Sequence, residues 1–170
     1  MVNAIVKLIK ALNGNIKKSQ IAAGIAWGVL LALIPAGNFY WVALFLISLF
    51  FHHNHGSKIF SMAVLKLFAP LLAPALDAFG WEVLHFSALQ PLFTSMYNMP
   101  FVPFTKFNNT LVAGGIVGGA VLWLPVFGIF MFLVPVYRNT LAPKIRNLKI
   151  VKAVGKIPLL KFIEKALAKS

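Results

Sequence analysis

Two long apolar stretches organise this chain. Ser19 to Ser57 and Phe107 to Tyr137 each run without an Asp, Glu, Lys or Arg, a length that points to hydrocarbon rather than water as the solvent. Ahead of the first, Val2, Ile5, Val6, Ile9 and Leu12 fall at helical spacing with Asn3, Lys7 and Lys10 opposite. That pattern predicts an amphipathic helix over residues 1–16 lying on a membrane surface.

The first stretch forms a unit over 20–56 that is interrupted by Ile34-Pro35-Ala36-Gly37-Asn38. As one helix, Gln20 to Phe51 would be about 48 Å long against a hydrocarbon core of about 30 Å. The pattern therefore predicts a hairpin, re-entrant or fully crossing. A second unit over 109–138 opens with Asn109 or Thr110 as helix cap and carries predicted breaks at Pro125 and Gly128. At a constant offset of 90 residues, Ala23, Gly24, Gly28 and Pro35 recur as Ala113, Gly114, Gly118 and Pro125, which suggests an internal repeat. Each first arm presents a Gly-x-x-x-Gly face, Gly24/Gly28 and Gly114/Gly118, suited to close helix packing.

Between the units, residues 57–108 are richer in aromatics and contain Pro70, Pro74, Pro91, Pro100 and Pro103. They predict an interfacial middle: a helix over Ser57 to Phe68, shorter ones over Leu71 to Phe79 and Trp81 to Ser95, and an extended loop over Asn98 to Asn108. The expected fold is an all-α integral membrane protein. Its single membrane domain, 17–139, consists of two Pro/Gly-broken helical hairpins joined by this middle, with amphipathic helices at both termini. The tail, 140–170, alternates Lys144, Arg146, Lys149, Lys152 and Lys156 with Ile145, Leu148, Val151 and Ile157, and is expected to contact lipid head groups.

Composition sharpens the membrane reading. Apolar residues make up 60% of the 170 and charged ones 11%, far from the balance of a soluble domain. The net charge is +13, and the basic residues cluster at the two ends of the chain. Flanking basic residues fit the positive-inside rule and an anionic leaflet better than a nucleic-acid surface. The expected location is a bacterial inner membrane with both termini cytoplasmic, and the hairpins would return Lys17, Lys18, Lys58, Lys106 and Arg138 to that one face. A cleaved signal peptide fits poorly, because the apolar run resumes at Phe39.

Little chemistry is on offer. There is no cysteine, so thiolate sites and disulfides are excluded. Asp77, Glu82 and Glu164 are the only acids. Lys66, Asp77, Glu82 and His85 form a candidate polar site within the membrane, although Glu82 and His85 alone lack the further carboxylates of a di-iron bundle. His52, His53 and His55 are weak candidates for metal ligands. No Ser/Thr sits in a nucleophile pattern and no glycine loop suits a phosphate, so neither enzyme activity nor a cofactor is expected.

Ala22 to Gly28 (Ala-Ala-Gly-Ile-Ala-Trp-Gly), Ile34-Pro35, the boundary Asn54, then Pro70, Pro74, Gly80 and a Gly-rich segment ending in Tyr137-Arg138 together resemble the bacterial membrane proteins catalogued as domain of unknown function 2062. The resemblance spans about Lys17 to Asn139. It implies an inner-membrane location and brings no activity or catalytic residues. The expected function is a non-enzymatic subunit that anchors or gates a larger envelope assembly, in lipid transport for example. Its expected partners are the anionic bilayer and an envelope protein or further copies of itself. A small solute transporter or channel lined by the hairpins is the alternative.

Overall fold

The computed structural model describes residues 16–141; residues 1–15 of the predicted N-terminal amphipathic helix and 142–170 of the basic tail lie outside them. Five α-helices follow in order: α1 (Lys18–Leu33), α2 (Phe39–Leu49), α3 (His55–His85), α4 (Gln90–Tyr97) and α5 (Thr110–Val136). Short 3-10 turns, Ser87–Leu89 and Val102–Thr105, flank α4, and a π-helical turn, Tyr137–Leu141, follows α5. There is no strand among the described residues.

Asparagine sets the start of three of these helices. The side-chain oxygens of Asn38, Asn54 and Asn109 accept from the backbone N–H groups of Trp41 (2.8 Å), Ser57 (2.7 Å) and Val112 (3.0 Å), each satisfying a donor that the first turn leaves open. The turn between α1 and α2 is built the same way from local rules. Ile34 takes extended geometry, as the residue before a proline does. Gly37 adopts φ +85°, which a residue with a Cβ rarely tolerates. Asn38 then closes the turn by donating to Pro35 O at 2.7 Å while capping α2.

The second unit is not a hairpin. α5 runs unbroken through Pro125 and Pro135, although Pro125 matches Pro35 in the offset of 90. Proline removes one intrahelical hydrogen bond and crowds the preceding turn, but the chain leaves the helix only where other groups take over the freed backbone. At the positions equivalent to Gly37 and Asn38, α5 has Phe127 and Gly128. It has neither the left-handed glycine nor the capping amide, so the helix continues. The middle is corrected for the same reason. Pro70, Pro74 and Gly80 all lie inside α3, one helix of 31 residues and about 46 Å. The predicted loop over Asn98 to Asn108 instead contains a 3-10 turn with left-handed Phe101 and Lys106 at its ends.

Helices α1, α3 and α5 pack on one another. Arg138 Nη2 donates to Ile16 O at 2.7 Å and Asn54 N to Gln20 O at 2.9 Å, so the start of α1, the start of α3 and the end of α5 share one end of the bundle. At the other end Tyr40 meets Thr105, oxygen to oxygen, at 3.1 Å. Lys106 therefore stands at the end opposite Lys17, Lys18 and Arg138, and not beside them as two hairpins would have it. α2 lies along the flank, with Trp41, Leu44 and Phe45 on the core residues Leu30, Leu31 and Ile34 and Trp41 Nε1 donating to Leu31 O at 2.9 Å.

Glycine decides where these helices touch. A Cβ on Gly24 would run into Ser57 Oγ and Asn54 O, and one on Gly28 into Ser61 Oγ and Lys58 O; this face packs on the first half of α3. Gly114 meets α3 at Leu76 and Gly80, backbone to backbone. Gly115 and Gly119 turn instead to α1, where a Cβ would approach Leu33 O at 2.7 Å and Leu30 Cγ at 3.1 Å. The two Gly-x-x-x-Gly faces thus pack on α3 at different levels and not on each other. Gly118 has ordinary room, with Leu76 Cδ2 at 3.6 Å. Gly28→Ala and Gly80→Ala are each expected to destabilise the purified protein by about 1–3 kcal/mol, the usual cost of overpacking. Gly118→Ala should leave its melting temperature nearly unchanged; equal effects at Gly28 and Gly118 would show that the close approach is not the constraint.

Candidate functional site

Polar groups gather where α1, α2 and α3 meet, near the Asn54 end of the bundle. The seam follows from two stripes at the same spacing: Ser57 and Ser61 on α3 face Gly24 and Gly28 on α1. Ser57 Oγ lies 3.2 Å from Ile21 O and 2.8 Å from Asn54 O. Ser61 Oγ lies 3.3 Å from Ile25 O and 2.8 Å from Ser57 O. With no Cβ between the helices, each hydroxyl reaches a carbonyl of the neighbouring helix while staying bonded to its own.

Lys58 is the most unusual residue of this region. Its side chain is fully buried, its Nζ donates to Ser48 Oγ at 2.8 Å, and the same nitrogen stands 4.6 Å from the centre of the Phe45 ring. Ser48, itself buried, donates its hydroxyl to Phe45 O at 2.6 Å. Among the described residues no carboxylate accompanies this cation, so a hydroxyl and an aromatic face are what meet its charge. Lys58 thereby clasps α2 to α3. A second lysine, Lys66, donates to Ile34 O at 2.6 Å and places positive charge at the C-terminal end of α1, where the helix dipole favours it.

His53, in the loop before α3, is 8% exposed and neither ring nitrogen finds a hydrogen-bond partner among the described residues. It stacks near Trp27, ring centres 6.3 Å apart, and meets His55 edge-on at 4.5 Å. Burial, then the neighbouring His55 and Lys58, pushes its pKa from 6.5 down to about 4, because an imidazolium there would lose water and face other cations. Among the described residues no group of three or more His, Cys, Asp or Glu is placed together to hold a metal ion.

The other candidates from the sequence stay apart. Lys66 serves the end of α1. Asp77 accepts from Thr110 Oγ1 in a short hydrogen bond, tying α3 to the start of α5. His85 Nδ1 lies 2.8 Å from Trp81 O, its ring stacked on Trp81. Along α3 Lys66 and Asp77 are about 16 Å apart, so Lys66, Asp77, Glu82 and His85 do not converge on one polar site. Pro35 lies in the α1–α2 turn and Pro125 within α5. Lys144, Arg146, Lys149, Lys152 and Lys156 lie outside the described residues. Sequence reasoning missed Ser48 and Lys58, treating Lys58 as a boundary charge. The Ser57/Ser61 pair, which repeats the spacing of Gly24/Gly28, was a signal for the seam beside them but not for the Lys58–Ser48 contact.

The chain is 33% identical over 161 residues to an uncharacterized protein of Treponema pallidum (strain Nichols), a similarity covering 95% of this chain and 99% of that relative. It belongs to the same family. No family model matches the chain, and no solved structure matches it.

The buried imidazole sets a pH dependence. Unfolded, His53 titrates near 6.5; folded, near 4. Between these values the unfolded chain holds a proton that the folded one does not, so this contribution to stability is present above 6.5 and lost as the pH falls toward 4. The melting temperature should therefore drop on acidification from about pH 7.5 to about pH 4.5, and His53→Phe should flatten the profile. A parallel drop in the variant would assign the effect to other groups.

Proposed function

We propose that the chain is an integral membrane protein of a bacterial cytoplasmic membrane, acting as a non-enzymatic subunit that anchors or gates a larger assembly handling lipids. The observation that carries the membrane reading is where the apolar surface lies. α3 and the segment Thr110–Thr140 are long and apolar enough to cross a bilayer, yet only 0% and 6% of their most apolar windows are buried inside the bundle. A core helix of a soluble protein would be mostly covered. Here Phe50, Leu67, Leu71, Phe104 and Phe132 are between 71% and 90% exposed, a surface suited to lipid or to a membrane partner.

The bacterial relative supports a bacterial setting, and the resemblance to the domain of unknown function 2062 proteins belongs to the same proposal. The subunit reading rests on α2, a flanking helix whose outer face, Phe39, Val42, Leu46 and Leu49, stays exposed. A transporter is the second reading, favoured by the buried Lys58, because ionisable groups within spanning helices often mark a solute path.

Two crossings predict opposite sides for the two ends of the bundle. In intact cells, cysteines introduced at Ser19 and Asn139 should resist a membrane-impermeant thiol reagent, while one at Asn98 should react. Labelling of all three alike would sink the two-crossing topology, and release of the protein by alkaline carbonate would sink the membrane reading itself. Mild-detergent purification with mass spectrometry should recover a stable larger partner. Solute flux by the reconstituted chain alone would favour the transporter.

A further inference from the structure

A groove of about 400 Å³ opens on the bundle between α1, α3 and α5, of a size that suits a small apolar ligand. Val29 of α1, Phe60 and Val64 of α3, and Phe130, Leu133 and Tyr137 of α5 line it. The hydroxyl of Ser61, also at its wall, is turned into the seam toward Ile25 O and Ser57 O. The lining therefore offers almost nothing to a polar ligand and a continuous surface to a hydrocarbon chain. Between Phe130 and Tyr137 the groove follows α5 for about 10 Å, enough for part of an acyl chain and too short for a docked helix of several turns.

Charge marks one end of the groove. It finishes at Tyr137, and the next residue, Arg138, bonds to Ile16 O at 2.7 Å. That contact brings the start of α1, with Lys17 and Lys18 both exposed, to the mouth. The acids among the described residues, Asp77 and Glu82, belong to the far half of α3, so neither of them stands beside Lys17 and Lys18. An apolar slot ending beside two exposed lysines, at the level where a spanning helix leaves the hydrocarbon, matches a molecule with an apolar chain and an anionic head.

We propose that this groove binds one acyl chain of an anionic phospholipid whose head group sits at Lys17 and Lys18. The inference rests on the membrane reading above and adds a ligand class and a place to it. General lipid contact would cover every exposed apolar face without regard to head group; this site selects by charge and has a bounded occupancy.

The full-length protein, stripped of lipid in mild detergent, is mixed with dioleoylphosphatidylglycerol or dioleoylphosphatidylcholine, and lipid retained after gel filtration is counted by mass spectrometry. The expected result is about one phosphatidylglycerol per chain, retained roughly tenfold better than phosphatidylcholine, since two lysines near an anionic head group supply a preference of that order. Replacing both Lys17→Gln and Lys18→Gln should erase the preference. Val64→Trp should abolish retention at an unchanged melting temperature. Val29→Phe fills the groove from α1 and replaces Val64→Trp where that variant does not fold. Equal retention of the two lipids, or full retention in the filled variants, overturns the site and assigns the lipid to the general annulus. Retention of neither also overturns it, pointing to another occupant such as residues 142–170. Each of these failures, in a protein that resists carbonate extraction, leaves the membrane reading standing.

Discussion

The approach of backbone to backbone at glycine is the contact on which the fold depends. Gly24 and Gly28 bring α1 against α3, Gly80 and Gly114 bring α3 against α5, and Gly115 and Gly119 bring α5 against α1. In the bilayer proposed for this chain, burying more apolar surface would give little drive to associate, and close van der Waals contact with short polar bridges would supply it. The seam of Ser57 and Ser61 exists because the facing glycines leave their carbonyl neighbours within reach. The same closeness allows Lys58 to be covered completely, since α2 can lie over it without a gap.

A second rule concerns proline. Among the described residues, Pro70 and Pro74 lie within α3, Pro125 and Pro135 within α5, and Pro35 in the turn between α1 and α2. The chain reverses at Pro35 alone among them. What separates it is the group of residues that follows: an unbranched Gly37 for the left-handed turn and an Asn38 that both closes the turn and begins the next helix. In the bilayer proposed for this chain, without water to accept stranded N–H and C=O groups, a helix with one missing bond would be better satisfied than an open loop. Proline in an apolar run thus ends a helix only in company.

Much of the fold was legible on that basis, and its failures have one cause. The helical class, the break at 34–38, the cap at Asn109 and the packing role of Gly24, Gly28 and Gly114 follow from local chemistry, whereas Asn38 and Asn54 were read only as part of a break and as a boundary, and the structure makes them caps. The second hairpin and the fragmented middle did not hold, because Pro125, Pro70 and Pro74 were weighed without their neighbours. Once α3 is continuous, it crosses the bundle and moves Lys106 to the far end. The polar site was harder to read. Lys66, Asp77, Glu82 and His85 are each engaged locally, whereas Lys58 and Ser48 meet through a return of α2 that no spacing in the sequence announces.

The order of helices along the chain has a consequence for how the protein is made. α1 is synthesised first, yet its glycine faces pack on α3 and α5, and Leu33 meets Gly115 only after about 80 further residues have been added, a matter of several seconds at about 5–20 residues per second. During that interval the neighbour already present is α2, which lies on Leu30, Leu31 and Ile34 and leaves the Gly24/Gly28 face open. The early chain is therefore a hairpin held by its tight turn and by Trp41, waiting with an unfilled seam. α5, the last of the described helices to emerge, closes the bundle and, through Arg138 and Ile16, brings the newest part of the described chain back to its oldest.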